Sequence, residues 1–372
     1  MKIALLTYST RPRGGVVHTL ALAEALAARG ADVTVWTLGR DGDEGFFRPV
    51  DPSVRLAVVP FPDAGPAETV GARILRSIEA LRAAFPASGY DIVHAQDCIS
   101  ANAVDRCLRT VHHIDHFSTP ELAACHERAI TRPFGIVCVS RAVADEVAAG
   151  WGLPAAVIPN GVDSARFARA AAADEPARAA RRRWRSRFGR YVLAVGGIEP
   201  RKGSLDLLEA YARLRETDPG VRLVVAGGET LFDYRDYRDV WEARCAELFA
   251  GAPEFAPAVL GPVPDDDLPS LVAAAGAFCF PSVREGFGLA ALEALAAGVP
   301  LVTRSLPVLR EVFGGTARFA RDPAGFAAAL GEALGAPGER RAAGQALAAR
   351  YTWEAAADAH LALYAGYAAS GR

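Results

Sequence analysis

Lysine is almost absent from this sequence. Lys and Arg together number 41 in 372 residues, yet lysine stands only at positions 2 and 202, so arginine supplies nearly every positive charge. With 43 acidic residues the net charge is −2, which gives no general attraction to nucleic acid, and any anion site must be local. The six cysteines, at 98, 107, 125, 138, 245 and 279, form no C-x-x-C pair and sit mostly in apolar runs. They read as reduced buried thiols rather than a disulfide frame. No uninterrupted apolar stretch reaches membrane-spanning length, and the opening MKIALLTYSTRPRGG meets arginine and glycine too soon for a signal peptide. A cytoplasmic protein without stable membrane insertion is expected.

What is present is a repeated alternation of short β-rich runs and helical segments. IALLTYS (3–9), a helical stretch ending at Gly30 and DVTVWTL (32–38) make one β-α-β unit, and further strands are expected at 91–96, 109–114, 135–140 and 155–160. The alternation restarts with strands at 191–197, 221–228, 277–282 and 300–305. The chain is too long for one ordinary core, and hydrophobic residues make up 51% of it. An α/β chain with two Rossmann-like, doubly wound domains facing across a cleft follows. The expected boundaries are 1–165, a linker at 166–189, a second domain at 190–352 and a closing helix at 353–372 that packs back toward the first domain. The linker is rich in alanine and arginine and reads as a basic, solvated face.

Ligands of such domains bind at the carboxyl ends of the strands. After the first strand, Gly14 and Gly15 precede a helix whose first N–H groups can hold an anion. The G-x-G-x-x-G pattern is missing, and the second strand ends in Trp36-Thr37-Leu38 without an acidic residue, so a dinucleotide cofactor is not expected. The stretch PSVREGFGLAALEALAAGVPLV (281–302) places Glu285 in a loop, turns through Gly286, Phe287, Gly288 and Leu289 into a helix, and stops at Gly298 and Pro300. The glycines let a diphosphate approach the backbone, and Glu293 can accept hydrogen bonds from neighbouring hydroxyls. In EPRKGSLDLLEA (199–210) the compact ammonium of Lys202 suits a terminal phosphate as a point charge.

PSVREGFGLAALEALAAGVP resembles the E-x7-E signature of retaining glycosyltransferases of GT-B architecture, family 4. The glycine loop RGGVVHTLALAEAL, the strand TVHH, and CVSRAVADEV, VIPNGVD, VGGIEPRKG, VAGG and YTWEAAADAHLALY follow that family's order. The resemblance implies transfer of a sugar from a nucleoside-diphosphate donor, expected to be a UDP-sugar, to an acceptor hydroxyl with retained anomeric configuration. It assigns Glu285 to the donor sugar, the backbone of 286–289 to sugar and phosphate, Glu293 to the ribose and Lys202 to the leaving diphosphate. His112, closing a strand of the first domain, is placed beside the donor sugar. The family's usual G-R reads Gly196-Gly197 here, so Arg201 is the candidate replacement cation on the diphosphate. No cofactor or metal is expected. His113, Asp115, His116, Cys98 and His126 match no zinc spacing, and Asp265-Asp266-Asp267 reads as a loop and helix cap. A nonhydrolysing sugar-nucleotide 2-epimerase and a nucleotide-sugar-binding protein without turnover are the alternatives. The sequence does not name the acceptor, whether small molecule, lipid or glycan.

Overall fold

The computed structural model describes residues 1–369 except 41, 63, 64, 66, 67, 116, 118 and 229–233. In chain order its first elements are β1 (Lys2–Leu6), α1 (Gly14–Ala28), β2 (Asp32–Arg40), β3 (Arg55–Phe61), α2 (Val70–Ala84), β4 (Ile92–Ala95), α3 (Cys98–Ala103), β5 (Leu108–Val111), α4 (Pro120–Thr131), β6 (Gly135–Cys138), α5 (Arg141–Trp151) and β7 (Ala156–Val157). Then come α6 (Ser164–Ala170), α7 (Glu175–Phe188), β8 (Tyr191–Val195), α8 (Ser204–Thr217), β9 (Arg222–Ala226), α9 (Arg235–Leu248), β10 (Ala258–Val259), α10 (Leu268–Ala274), β11 (Ala277–Phe280), α11 (Leu289–Ala296) and β12 (Leu301–Arg304). The chain closes with α12 (Pro307–Phe313), β13 (Ala317–Ala320), α13 (Pro323–Gly335), α14 (Arg341–Arg350) and α15 (Trp353–Ala369).

Two compact units result. The first holds Met1–Gly161 together with Trp353–Arg372, and the second is Val162–Thr352. The first carries a parallel seven-stranded sheet in the order β3-β2-β1-β4-β5-β6-β7, and the second a parallel six-stranded sheet, β10-β9-β8-β11-β12-β13. Counted within each unit, the two orders are the same doubly wound pattern. Strand order reverses between β1 and β4 in one unit and between β8 and β11 in the other, and the crevice at the carboxyl ends there is where such sheets take ligands.

Both sheets are covered on both faces, which is why their central strands are continuous apolar runs: Ile3, Ala4, Leu5 and Leu6 are wholly buried. α5 and α11 end where a glycine, Gly152 or Gly298, supplies a left-handed turn. At the end of α11, Val299 N donates to Ala294 O (2.9 Å) and Gly298 N, at φ +72°, donates to Leu295 O (2.9 Å), the paired bonds of a Schellman stop. Three strands escape the sequence pattern. β3 is an edge strand carrying Pro60 and the exposed Leu56, β10 has two residues, and β13 is the short ARFA.

The stretch 166–189 is not a linker. It lies within the second unit as most of α6 and all of α7, because Trp184 is a buried anchor whose Nε1 donates to Ser270 Oγ at 2.9 Å. Its arginines are partly engaged: Arg183 pairs with Asp267 and Arg182 with Glu175. Asp267 occupies the N-cap position of α10 without a capping hydrogen bond, its carboxylate being drawn to Arg183. In the first unit α15 lies on the sheet's core, with Ala356, Ala357 and Tyr364 buried among Ile3, Leu5, Leu22 and Leu26. Among the described residues no helix is long and apolar enough to cross a membrane.

Candidate active site

The second unit gathers its charged groups at the strand-order reversal. The loop after β8 runs through Gly196 and Gly197 into a short 3-10 turn, Pro200–Lys202, and the loop after β11 carries Glu285. Lys202 Nζ donates to Glu285 Oε2 at 3.0 Å, and Arg201 Nη1 lies 3.5 Å from the same oxygen. Arg201 Nη2 is 3.6 Å from Glu199 Oε1, so the guanidinium lies between two carboxylates. Burial pulls the Lys202 pKa down, and Glu285 opposes that shift while Arg201 adds to it. The ammonium lies 5.1 Å from the Phe280 ring centre, and its stem crosses Gly196, where any side chain would meet Lys202 Cγ at 3.3 Å.

Two backbone contacts fix this pair. Val283 N donates to Arg201 O at 2.9 Å, and a methyl on Gly203 would stand 2.4 Å from the carbonyl oxygen of Pro281. Gly203 also has φ +65°. Gly203→Ala should therefore cost about 2 to 3 kcal/mol, from the left-handed conformation and from pushing the two loops apart. A melting temperature equal to wild type would show that the loops have slack.

Phe287 is a buried wedge. Its ring meets Tyr351 edge-on at 5.3 Å between centres, so only its backbone is left to face a ligand. Gly288, at φ +102°, caps α11, and a methyl there would meet the Phe313 ring at 3.0 Å. Leu289 opens the helix and Glu293 follows one turn later. Burial pushes the Glu293 carboxyl up to about 8; Arg166 pulls it down, and Asp265 raises it further. Those two form their own pair at 2.7 Å. Glu293 therefore lies beside a satisfied ion pair rather than beside Lys202. The sequence gives Arg166, Gly203 and Glu199 no role and reads Asp265 as part of a loop and helix cap, whereas it pairs with Arg166; a Lys-Gly step opening a helix was the available signal for Gly203.

The first unit holds the other predicted residues. His112 directly follows β5, and a methyl on Gly15 would be 3.7 Å from its Nε2, an atom that is buried without a hydrogen-bond partner. Gly14 is exposed with open space around it. Behind His112 stands a histidine cluster that the sequence reading did not foresee. The His18 ring meets His112 at 4.8 Å and Trp353 at 5.4 Å, and His360 lies 5.6 Å from His94. His18 Nδ1 is 2.8 Å from Asn160 Oδ1; His94 bridges Tyr364 OH and Thr110 Oγ1 at 2.7 Å each. Desolvation holds His18 and His94 well below the ordinary histidine pKa, His112 at about 3 and His360 at about 4. His113 pairs with Asp115 at 3.1 Å. His116 lies outside the described residues, and among those described no three His, Cys, Asp or Glu side chains are grouped to hold a metal ion.

Residues 12–166 match the family description "Glycosyltransferase Family 4" and residues 181–346 match "Glycosyl transferases group 1". The phosphatidyl-myo-inositol mannosyltransferase of Mycolicibacterium smegmatis is 30% identical over 351 residues, covering 87% of this chain and 82% of that protein. The chain belongs to the family 4 glycosyltransferases. The chain spans 31% to 47% of the length of the first curated relatives it matches. The GT-B fold is shared with a sucrose-phosphate synthase from Thermosynechococcus elongatus (TM-score 0.77, 21% identity, 99% of each chain). It is also shared with Anabaena HepE, solved with UDP-glucose (TM-score 0.73, 18% identity, 100% of each chain). In this family 4 chain the E-x7-E pair is Glu285 and Glu293, the first in contact with Lys202 and the second one turn into α11.

Proposed function

We propose that this protein transfers a sugar from a nucleoside-diphosphate donor, a UDP-sugar, to an acceptor hydroxyl with retention of anomeric configuration and without a metal ion. The observation that carries the reading is the convergence of Lys202 and Arg201 on Glu285 Oε2, at 3.0 and 3.5 Å, where the strand order of the second unit reverses. Cations placed there ahead of the reaction stabilise charge as it builds on a departing diphosphate. Arg201, adjacent to Lys202 and engaged with two carboxylates, supplies the second positive charge that Gly197 lacks. The backbone of 286–289 and the start of α1 at Gly14 and Gly15 offer N–H donors to sugar and phosphate. Glu293 accepts from the ribose hydroxyls.

In the reaction the bond from the anomeric carbon to the β-phosphate oxygen breaks, and the acceptor oxygen bonds to the same face of that carbon. The acceptor's proton passes to the leaving diphosphate oxygen. Glu285 orients the donor sugar and stabilises the ion-pair-like transition state; His112, neutral and with Nε2 unsatisfied, offers the sugar a hydrogen bond. Family membership favours transfer over 2-epimerisation and over binding without turnover.

The test begins with UDP-, GDP- and ADP-sugars in a thermal-shift panel, followed by product analysis with the donor that binds. Transfer should proceed in excess chelator and give the donor's anomeric configuration by NMR. Glu293→Ala should weaken binding of the free nucleoside diphosphate by about 1 to 3 kcal/mol, the range for losing charged hydrogen bonds. An inverted product removes the retention assignment, and unchanged calorimetric affinity in the variant removes the ribose assignment.

A further inference from the structure

The histidine cluster of the first unit includes a ring that the transfer chemistry does not use. His18 is buried on α1, and its Nδ1 donates at 2.8 Å to the Oδ1 of Asn160, itself buried in the loop after β7. An amide oxygen only accepts, so the proton of this neutral ring sits on Nδ1 and Nε2 carries a lone pair. Among the described residues that buried Nε2 has no hydrogen-bond partner. Trp353, which opens α15, meets the ring edge-on at 5.4 Å, and His360, whose Nδ1 donates to Ala356 O at 2.7 Å, lies 6.4 Å away. His18 is thus held between α1, the loop after β7 and α15. The same ring meets His112 at 4.8 Å between centres and 77° between planes. Gly15 stands three residues earlier on that face of α1, and a methyl there would lie 3.6 Å from His112 Cδ2. The helix therefore borders the His112 imidazole at two points one turn apart.

A leucine would fill the place of His18 without burying a polar atom, whereas an imidazole buried with one nitrogen unpaired is unfavourable. What the ring supplies, and an aliphatic chain does not, is a flat and anchored face. A perpendicular contact is a preferred arrangement of two rings, and it fixes the tilt of the partner as well as its distance. Desolvation keeps both rings neutral, so no like charge pushes them apart. We infer that His18 is a positioning residue for His112: anchored by Asn160 and backed by Trp353, it holds the His112 imidazole at the angle from which that ring meets the donor sugar. This rests on the contact between His112 and the donor sugar proposed above, and names the residue that aims it.

The test is a double-mutant cycle with His112→Ala, read as kcat with an identified donor and acceptor. His18→Asn keeps an N–H for Asn160 and loses the ring. It should lower kcat about 10- to 100-fold, the scale of a displacement of about 1 Å at a reacting centre, while calorimetric affinity for the nucleoside diphosphate stays within about twofold. In the His112→Ala background the same change should alter kcat by less than about twofold, since no ring is left to aim. His18→Phe, which restores a ring, should recover part of the loss. A crystal structure of His18→Asn should show the His112 ring turned from its wild-type position. If His18→Asn does not fold, Asn160→Ala, which releases the His18 ring without emptying the core, carries the same cycle and the same crystal comparison. Equal losses in the two backgrounds overturn the inference, because His18 then acts through the fold. So do an undiminished kcat in either single variant and a His112 ring that stays in place. A wild-type chain that transfers no sugar from any donor removes the glycosyltransferase reading instead, and the position of His112 in the variant crystal still decides whether His18 holds it.

Discussion

Lys202→Ala should lower kcat by about 100- to 1000-fold, the cost of removing one preorganised group aimed at developing charge, while the KM for the donor changes much less. The ammonium is held before any donor arrives, 3.0 Å from Glu285 and backed by Phe280. On the proposed reading its contact with the diphosphate strengthens only as the glycosidic bond breaks, and interactions gained in the transition state appear in kcat. Lys202→Arg should recover part of the loss. A guanidinium restores charge, yet the stem passes over Gly196 with atoms that any added side chain would meet at 3.3 Å, and Arg201 already approaches the same carboxylate oxygen at 3.5 Å. A planar fork is a poor fit for a place shaped around a point charge. Steady-state kinetics with an identified donor and acceptor decide the matter. A rise in KM with kcat intact would make Lys202 a ground-state anchor and remove its transition-state role.

Acidification from pH 7.5 to 5.5 should cost the first unit about 4 kcal/mol of stability. His18, His94, His112 and His360 lie there with folded pKa values held below the unfolded value of about 6.5 by desolvation. The sign follows from linkage. Between the folded and unfolded values the unfolded chain binds more protons, so stability is intact above about pH 6.5 and falls as pH drops toward the folded values. Four such groups contribute on the order of 1 kcal/mol each over that interval, a large part of a typical domain's 5 to 15 kcal/mol. Glu293 in the second unit has the opposite sign. Its raised value of about 8 means the folded unit binds the extra proton, and stability there is lost as pH rises toward 8. Peptide-resolved hydrogen exchange, corrected for intrinsic rates, should show protection falling on acidification in 1–161 and 353–369 more than in 162–352. Equal protection of the two units at both pH values would contradict the assignment. His360→Gln should remove about a quarter of the effect.

The alternation of apolar strands and helices made the doubly wound halves legible, because buried parallel strands are written as continuous apolar runs. The ends of strands were legible where glycine follows them, as at Gly196 and Gly288. The edges were not: β3, β10 and β13 pair on one side only or are too short to show a pattern. The nature of 166–189 was hidden for a different reason. An alanine- and arginine-rich helix with one buried tryptophan has almost no apolar stripe, so only tertiary contact reveals that Trp184 belongs to a core. At the site, Glu285, Lys202 and the glycine loop could be read because each residue type has its own chemistry. The His18–Asn160 pair and the Gly203–Pro281 contact could not, since each joins residues 142 and 78 positions apart through the fold alone.

The two units are finished at different times as the chain leaves the ribosome. The second is continuous from 162 to 352, and its contacts are complete once that stretch has emerged. The first must wait for its last helix: Tyr364 reaches back 270 residues to His94, and Ala356 and Ala357 complete a core begun by Ile3. Such distant closure is slow, and until it happens the first sheet has an apolar face uncovered. The order of folding thus runs against the order of synthesis, with the later unit able to settle while the earlier one stays open.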